Sequence, residues 1–324
     1  MKNKWWKISA ATVTGFSAFM ALGWSFFKML VRYKKGEKKE NKRQWFHFKH
    51  MQINHPRNGY EKEYEEGKAW CRNRKMQDCY LKSVDGLLLH GYYLPAREPR
   101  RFLLLSHGYK GTGFGDFAYT AKFLHENGCN LLFIDQRSCG LSEGEYITFG
   151  ALEKYDIKAW ADYIAKRNPK GLPIYLYGES MGAAAVLMSL EYSLPAEVRG
   201  AIADCGFSSM KAQLRNMAAD WFHLHWIELL LFRVDVFCRM FGKFRMKDAD
   251  TTEALKKNKR PVLFFHGEKD SFVNPKNSEY NYAICQAPKE LIIVPEARHL
   301  CSPYVAKDLY REKLLEFFRK YDYE

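Results

Sequence analysis

Short apolar runs that recur between helical patterns constrain this chain more than any other feature of its sequence. They are Phe102–Ser106, Leu131–Asp135, Ile174–Tyr177, Gly200–Asp204, Val262–His266 and Leu291–Val294. Each is continuous rather than alternating, as expected of a strand buried on both faces. Helical patterns fall between or after them at Phe117–Asn127, Leu152–Arg167, Ala183–Tyr192, Asn277–Cys285 and Val305–Tyr321. Upstream, Cys79–Ser83 and Leu87–Leu94 flank "VDG", a hairpin signal. The expected fold class is α/β: a mostly parallel, doubly wound sheet of about eight strands opened by an N-terminal hairpin. Nearly sixty residues of helical character separate Asp204 from Val262. A structureless loop of that length does not suit a compact domain, so a helical cap insertion is predicted at about 208–254.

The N-terminal part differs in composition. Residues 1–68 hold 15 Lys/Arg against 6 Asp/Glu, a net +9 of the chain's +14. Ile8–Phe27 is a run of 20 uncharged, mostly apolar residues, which as a helix would span the hydrocarbon core of a bilayer. Lys2, Lys4 and Lys7 flank one end, and Lys28, Arg32, Lys34, Lys35, Lys38 and Lys39 the other. Trp5, Trp6, Trp24 and Tyr33 suit an interfacial belt. The expectation is a single-pass anchor over 1–33, a basic linker and helix over 34–74, and the α/β domain over 75–324 on the cytoplasmic side of the cell membrane. A cleaved signal peptide ending near Ala21 or Gly23 and a helix buried in protein are the other readings. Nothing points to a nucleic-acid partner: zinc-finger spacing, helix-turn-helix cues and interleaved Arg/aromatic patches are missing. The eight cysteines include no C-x-x-C pair, so neither a structural metal nor a disulfide framework is expected.

"YGESMGAA" joins the run ending at Tyr177 to a small-residue helix. Gly178-Glu179-Ser180-Met181-Gly182 fits G-x-S-x-G, in which glycines permit a tight turn that pushes the serine hydroxyl out at a strand end. A serine hydroxyl needs a base, and the base an orienting acid. His299 and Asp270 each follow a strand run, as Ser180 does, and open α/β sheets place their sites at those ends. Asp204 is the rival acid, and His266 is given a structural role. An oxyanion hole is expected from the backbone N–H groups of Tyr109 and Met181. Gly111, Gly113 and Gly115 lack the spacing of a dinucleotide or phosphate loop, so no cofactor is expected.

With these residues in place, the chain resembles the α/β-hydrolase superfamily over roughly residues 75–324. More narrowly it resembles membrane-anchored bacterial hydrolases grouped with serine aminopeptidase and monoacylglycerol lipase-like enzymes. "SVDGLLLHGYYLP", "LLLSHGY", "DQRSCGLSEG" and "YITFGALEKYDIKAW" carry the likeness, with the order Ser180, Asp270, His299. Where the family usually reads D-x-R-G-H-G-x-S-x-G, this chain has Ser138 and Cys139 in place of Gly and His, a departure that removes no catalytic group. The resemblance implies hydrolysis through an acyl-enzyme without a cofactor, on a small-molecule or lipid ester. Two alternatives remain open: an aminopeptidase-like amide hydrolase, with Glu228 or Asp235 in the cap binding a free amine, and an inactive hydrolase fold that serves as a binding module. The aromatic-rich cap either packs helix on helix or roofs an acyl pocket.

Overall fold

The structure, a computed structural model, describes residues 19–33 and 59–323. Eight strands form one sheet in the order β1-β2-β4-β3-β5-β6-β7-β8. β1 (Gln77–Lys82) and β2 (Leu88–Leu94) form an antiparallel hairpin whose turn carries Gly86 at φ +89°, a conformation glycine adopts without a steric penalty. β2 runs antiparallel to β4 (Cys129–Asp135). β3 (Arg101–Ser106), β4, β5 (Ile174–Glu179), β6 (Val198–Asp204), β7 (Val262–Gly267) and β8 (Lys289–Val294) are parallel. β3, β4, β5 and β7 are buried along their whole length, which is why their sequence runs are continuous. β6 departs from this only at the half-buried Arg199, whereas β8 at the edge buries only Ile292 and Val294.

Helices cover both faces. Residues 19–30 form α1, and Glu61–Arg72 forms α2. α3 (Ala118–Glu126) and the C-terminal α11 (Lys307–Tyr321) pack on one face of the sheet, around Leu103, Phe133, Tyr177 and Phe265. α4 (Glu153–Ala165) and α5 (Met181–Ser189) pack on the other, around Leu104, Leu132, Leu176 and Phe264. Between β6 and β7 lie α6 (Met210–Phe222), α7 (Glu228–Phe237), a π-helical turn at Cys238–Gly242 and α8 (Thr252–Lys257). α9 (Lys276–Ile284) and the short α10 (Ser302–Val305) complete the set. The cap builds a third core of its own over the C-terminal strand ends, with Met181, Phe207, Leu231, Val234 and Phe244 among its members.

Residues 19–33 belong to that third core. Phe27 and Val31 are fully buried in it. Trp24 stacks on Phe27 at 5.5 Å between ring centroids and meets Phe241 at 5.0 Å. Gly23 allows the approach to α7, because a Cβ there would lie 2.4 Å from Cβ of Arg233. The expected span Ile8–Phe27 thus has its second half packed on the cap, while residues 8–18 lie outside the described residues, as does most of the expected linker, 34–58. Among the described residues no helix is long and apolar enough to cross a membrane.

The "DQRSCGLSEG" loop shows how the departure from the family pattern is accommodated. Ser138 takes φ +68°, where the usual glycine would sit without strain, and its Oγ donates to the Tyr146 carbonyl at 2.9 Å. Cys139 is buried in the third core. Gly140 cannot be replaced so readily, since a Cβ there would fall 2.1 Å from the Asp135 carboxyl carbon. Arg137 bridges this loop to α4 and to the hairpin turn, donating to Asp156 at 2.7 and 2.8 Å and to Asp85 at 3.0 and 3.2 Å.

Because Phe27 is fully buried in the third core, Phe27→Ala in the full chain is expected to cost about 3–5 kcal/mol of stability. The exposed Leu22→Ala on the same helix should shift stability by no more than about 0.5 kcal/mol. Thermal unfolding of the two variants checks this, and equal midpoints would mean that α1 is not part of the folded unit.

Candidate active site

The end of β5 sets the geometry. Gly178, Ser180 and Gly182 make a turn so tight that side chains at the flanking positions cannot be housed. A Cβ at Gly178 would lie 2.3 Å from the Gly182 carbonyl oxygen, and one at Gly182 would lie 2.0 Å from the Ser106 carbonyl oxygen. Ser180 occupies φ +54°, ψ −117°, a strained conformation for a residue with a Cβ and of order 1–3 kcal/mol in cost. Its amide donates to the Asp204 carbonyl at 2.8 Å, which ties the turn to β6. Its Oγ is thereby held at the start of α5, beside the end of β3.

His299, in the loop after β8, reaches the same point. Its Nε2 lies 3.0 Å from Ser180 Oγ and its Nδ1 2.7 Å from Asp270 Oδ2. A carboxylate only accepts, so Nδ1 carries the proton and Nε2 is left to accept from the serine hydroxyl. All three side chains are buried. Asp270 Oδ1 accepts from the amides of Phe272 at 2.9 Å and Val273 at 2.8 Å. Burial alone would raise the Asp270 pKa, but the charge of His299 and hydrogen bonds from His266 and His299 outweigh it and hold the carboxyl well below its ordinary 3.8.

Asp204, the rival acid, points elsewhere. Its Oδ2 accepts from Tyr310 Oη at 2.8 Å, and Tyr310 in turn meets the Tyr177 hydroxyl. Burial, only partly offset by the Tyr310 bond, raises its pKa. His266 proves closer to the site than its sequence position suggests. Its Nδ1 accepts from Ser278 Oγ at 2.6 Å, while Nε2 faces the Val273 carbonyl at 2.8 Å and Asp270 Oδ2 at 3.2 Å. Phe272 stacks on the His299 ring at 4.9 Å. Gln213 of α6 donates to the Phe272 carbonyl at 2.7 Å and Trp221 to the Ser271 carbonyl at 3.1 Å, so the cap grips the acid loop. None of these supporting contacts joins sequence neighbours of the motif, and only the proximity of His266 to the strand end hinted at one of them. Cys205, Asp270 and His299 lie close enough together to offer three metal-ligand atoms. Burial pushes the Cys205 thiol well above its ordinary value, however, and the carboxylate and imidazole are already spent on each other.

Ser180 opens into a cavity of about 370 Å³. Tyr109 and Met181 flank the serine there, and the rest of the wall is overwhelmingly apolar, with Phe149, Phe207, Leu214, Met217 and Trp221 contributing. The cap's apolar surplus divides between two uses. Trp221, Phe222, Ile227, Leu230 and Val234 line the cavity, whereas Trp226, Leu229, Phe232 and Met240 face outward. Neither Glu228 nor Asp235 lines it. Glu228 pairs with Lys211 at 3.0 Å and Arg215 at 2.6 Å, and Asp235 pairs with Arg239 and accepts from the Met246 amide at 2.6 Å. The expectation that either carboxylate waits for a substrate amine is therefore corrected: each is already matched by cations of the cap.

Residues 97–236 match the family described as Hydrolase_4: Serine aminopeptidase, S33. The fold is similar to that of the Pyrococcus furiosus esterase PF2001, with a TM-score of 0.62 at 20% identity over 77% of this chain and 92% of the esterase. The fold and the sequence match are those of the α/β-hydrolase superfamily. The chain is 28% identical to the uncharacterized protein YqkD of Bacillus subtilis over 73% of its own length and 77% of that protein's. It also shares its fold with the acylaminoacyl peptidase of Pyrococcus horikoshii, at a TM-score of 0.58 and 16% identity over 79% of this chain and 44% of that one.

The low pKa of Asp270 has a consequence for the protein's stability. Its folded-state value lies below 3.8, so the unfolded chain takes up the proton first as pH falls. The stabilisation is complete above 3.8 and is lost as pH falls toward the folded value. Acid denaturation of the Asp270→Asn variant should accordingly be shallower than that of the wild type in this window. An identical pH dependence for the two would show that the carboxylate is not held by these donors.

Proposed function

We propose that this protein is a serine hydrolase that cleaves carboxylic esters with apolar acyl groups through an acyl-enzyme. The observation that carries the reading is the continuous line Ser180–His299–Asp270 at the floor of an apolar cavity. His299 Nε2 takes the Ser180 proton as Oγ attacks the ester carbonyl, and Asp270 stabilises the imidazolium that forms. The Gly108 amide is committed to Asp116 Oδ2 at 2.7 Å, so the Tyr109 amide is the donor from the β3 loop, joined by the Met181 amide at the start of α5. Together they receive the charge that develops on the carbonyl oxygen. His299 returns its proton to the departing alkoxide. Water then enters, loses a proton to His299 and attacks the acyl carbonyl, and Ser180 leaves with that proton.

An ester with a hydrocarbon acyl group suits the cavity better than an N-terminal peptide. Among the described residues, none that lines it carries a carboxylate to meet an ammonium group. Among the described residues, the one cation on the wall is Lys110, whose pKa burial lowers to about 8. The apolar run Ile8–Phe27, flanked by lysines, is proposed to attach the enzyme to a membrane through the part before residue 19, with the hydrolase domain on the cytoplasmic side.

Ser180→Ala is expected to abolish both turnover and labelling by a fluorophosphonate while leaving the thermal midpoint near that of the wild type. Retention of more than about a tenth of the rate on any ester would remove Ser180 from the mechanism. Asp270→Asn should lose on the order of 10⁴-fold in kcat, because an amide neither holds the required tautomer nor stabilises positive charge, whereas Asp204→Asn should lose far less. The reverse order would move the acid to Asp204. Each methylene that enters the cavity is worth roughly 0.8 kcal/mol, so kcat/KM should rise several-fold for each two-carbon extension until the cavity is full. A flat profile from acetyl to octanoyl esters would exclude an acyl site there.

A further inference from the structure

The N-terminal segment is built into this cavity. Ser25, Phe26, Met29 and Leu30 of α1 line it together with Ser180, Met181 and Tyr109. The opposite side of the helix is fixed by Phe27 and Val31, both fully buried among cap and hydrolase side chains. The end of the helix is fixed by polar contacts as well. Tyr109 Oη donates to the Leu30 carbonyl at 2.7 Å, and Lys110 Nζ donates to the Met29 carbonyl at 3.3 Å. These are carbonyls of the last turn, where a helix has acceptors to spare and favours a cation nearby. Beyond the helix, Val31 accepts from the Ile147 amide at 2.8 Å and Tyr33 donates to the Glu145 carbonyl at 2.7 Å, a short antiparallel pairing with the loop before α4. At the other end, where α1 begins, Arg233 of α7 lies over the Phe19 ring at 3.4 Å. The segment is therefore held on the cap at one end and on the β3 loop at the other, with its apolar face turned to the nucleophile.

We propose that residues 19–33 are a specificity-determining wall of the active site, which together with α6 of the cap forms the slot for a medium-length acyl chain. This rests on the serine-hydrolase reading and extends it to a segment that the family match, beginning at residue 97, does not include. Phe26 and Met29 are the side chains that limit chain length. The tie from Tyr109 and Lys110 to the helix end couples the wall to the loop that supplies an oxyanion donor, so the wall keeps a fixed distance from the reacting carbonyl.

The test uses the full chain in lipid nanodiscs, which avoids detergent entering an apolar cavity. Met29→Trp fills space and Phe26→Ala opens it, and each is read by the ratio of kcat/KM for octanoyl over acetyl esters. Met29→Trp is expected to lower this ratio about tenfold, the worth of roughly two buried methylenes, while Phe26→Ala should move the preferred chain length upward. Binding of a fluorescent medium-chain fatty acid provides a readout independent of turnover and should weaken in Met29→Trp. Should both variants keep the wild-type ratio and the wild-type affinity for the fatty acid, α1 does not bound the acyl site and the proposal fails, although hydrolysis itself could stand. If no ester is cleaved and no fluorophosphonate reacts, yet the fatty acid binds and Met29→Trp weakens it, the wall stands and the serine-hydrolase reading falls.

Discussion

Contact between two backbones at Gly182 underlies the site. The first turn of α5 rests on the carbonyls of Ser106 and His107 at the end of β3, with no room for a side chain between them. That closeness decides where the helix begins, and hence where its amides point. It also brings the β3 loop beside the nucleophile: a Cβ at Gly108 would lie 3.2 Å from Cβ of Ser180. The strain at Ser180 is the local cost of the arrangement, and the buried packing of α5, every residue of which is inside, offsets it. A serine on an ordinary strand-to-helix connection could relax; here the sheet on one side and the helix on the other over-determine it.

The acid and base are held by a different principle, a chain of polar groups each satisfied by the next. His107 Nδ1 donates to the Gly108 carbonyl at 2.7 Å while its Nε2 accepts from the Gln136 amide at 3.0 Å, so the β3 loop is fixed from β4. Ser278, His266, Asp270 and His299 form a second chain, reaching from α9 to Ser180. Four donors converge on Asp270, and two of them are backbone amides that cannot drift. Buried networks of this kind rigidify when complete and cost heavily when one partner is lost. Asp204 sits one strand away with a buried Oδ1 that lacks a partner among the described residues, and burial tilts it toward the neutral form. Two carboxylates at adjacent strand ends thus have opposite electrostatic settings, and only one of them faces the imidazole.

What the sequence made legible follows from how local each signal is. The parallel strands were readable because burial on both faces writes itself into consecutive residues. Boundaries slipped where a buried position is polar or a helix start is glycine-rich: Asn130 extends β4 because its side chain accepts from the Ala96 amide at 2.9 Å, and α5 begins at Met181, inside the turn itself. Ser180, Asp270 and His299 could be singled out since each follows a strand run, and the structure brings them together. Phe272 and Gln213 could not, since their contribution is a contact across 59 residues of chain that no spacing rule encodes. The pairing of Glu228 with Lys211 and Arg215 was equally invisible, because two of those residues come from a different cap helix.

The apolar run at residues 8–27 shows why hydrophobicity alone cannot say what covers a helix. Lipid tails and a protein core reward the same side chains, and twenty uncharged residues satisfy either. From Gly23 onward the protein claims them: Gly23 abuts α7, Trp24 joins the cap's aromatic rings, and Phe27 is inside. The fifteen residues before Gly23, if helical, would extend about 22 Å, less than the ~30 Å of a hydrocarbon core. A helix whose last turns are fixed to the cap cannot slide to make up the difference. An attachment through this run would then hold the cap close against the lipid, with Leu22 exposed on α1 and Trp226, Leu229 and Phe232 exposed on the cap. Those four side chains belong to α1 and the cap, the elements proposed to wall the acyl site, so a bilayer-borne ester would meet the cavity by way of the cap and α1 rather than from the far side of the sheet.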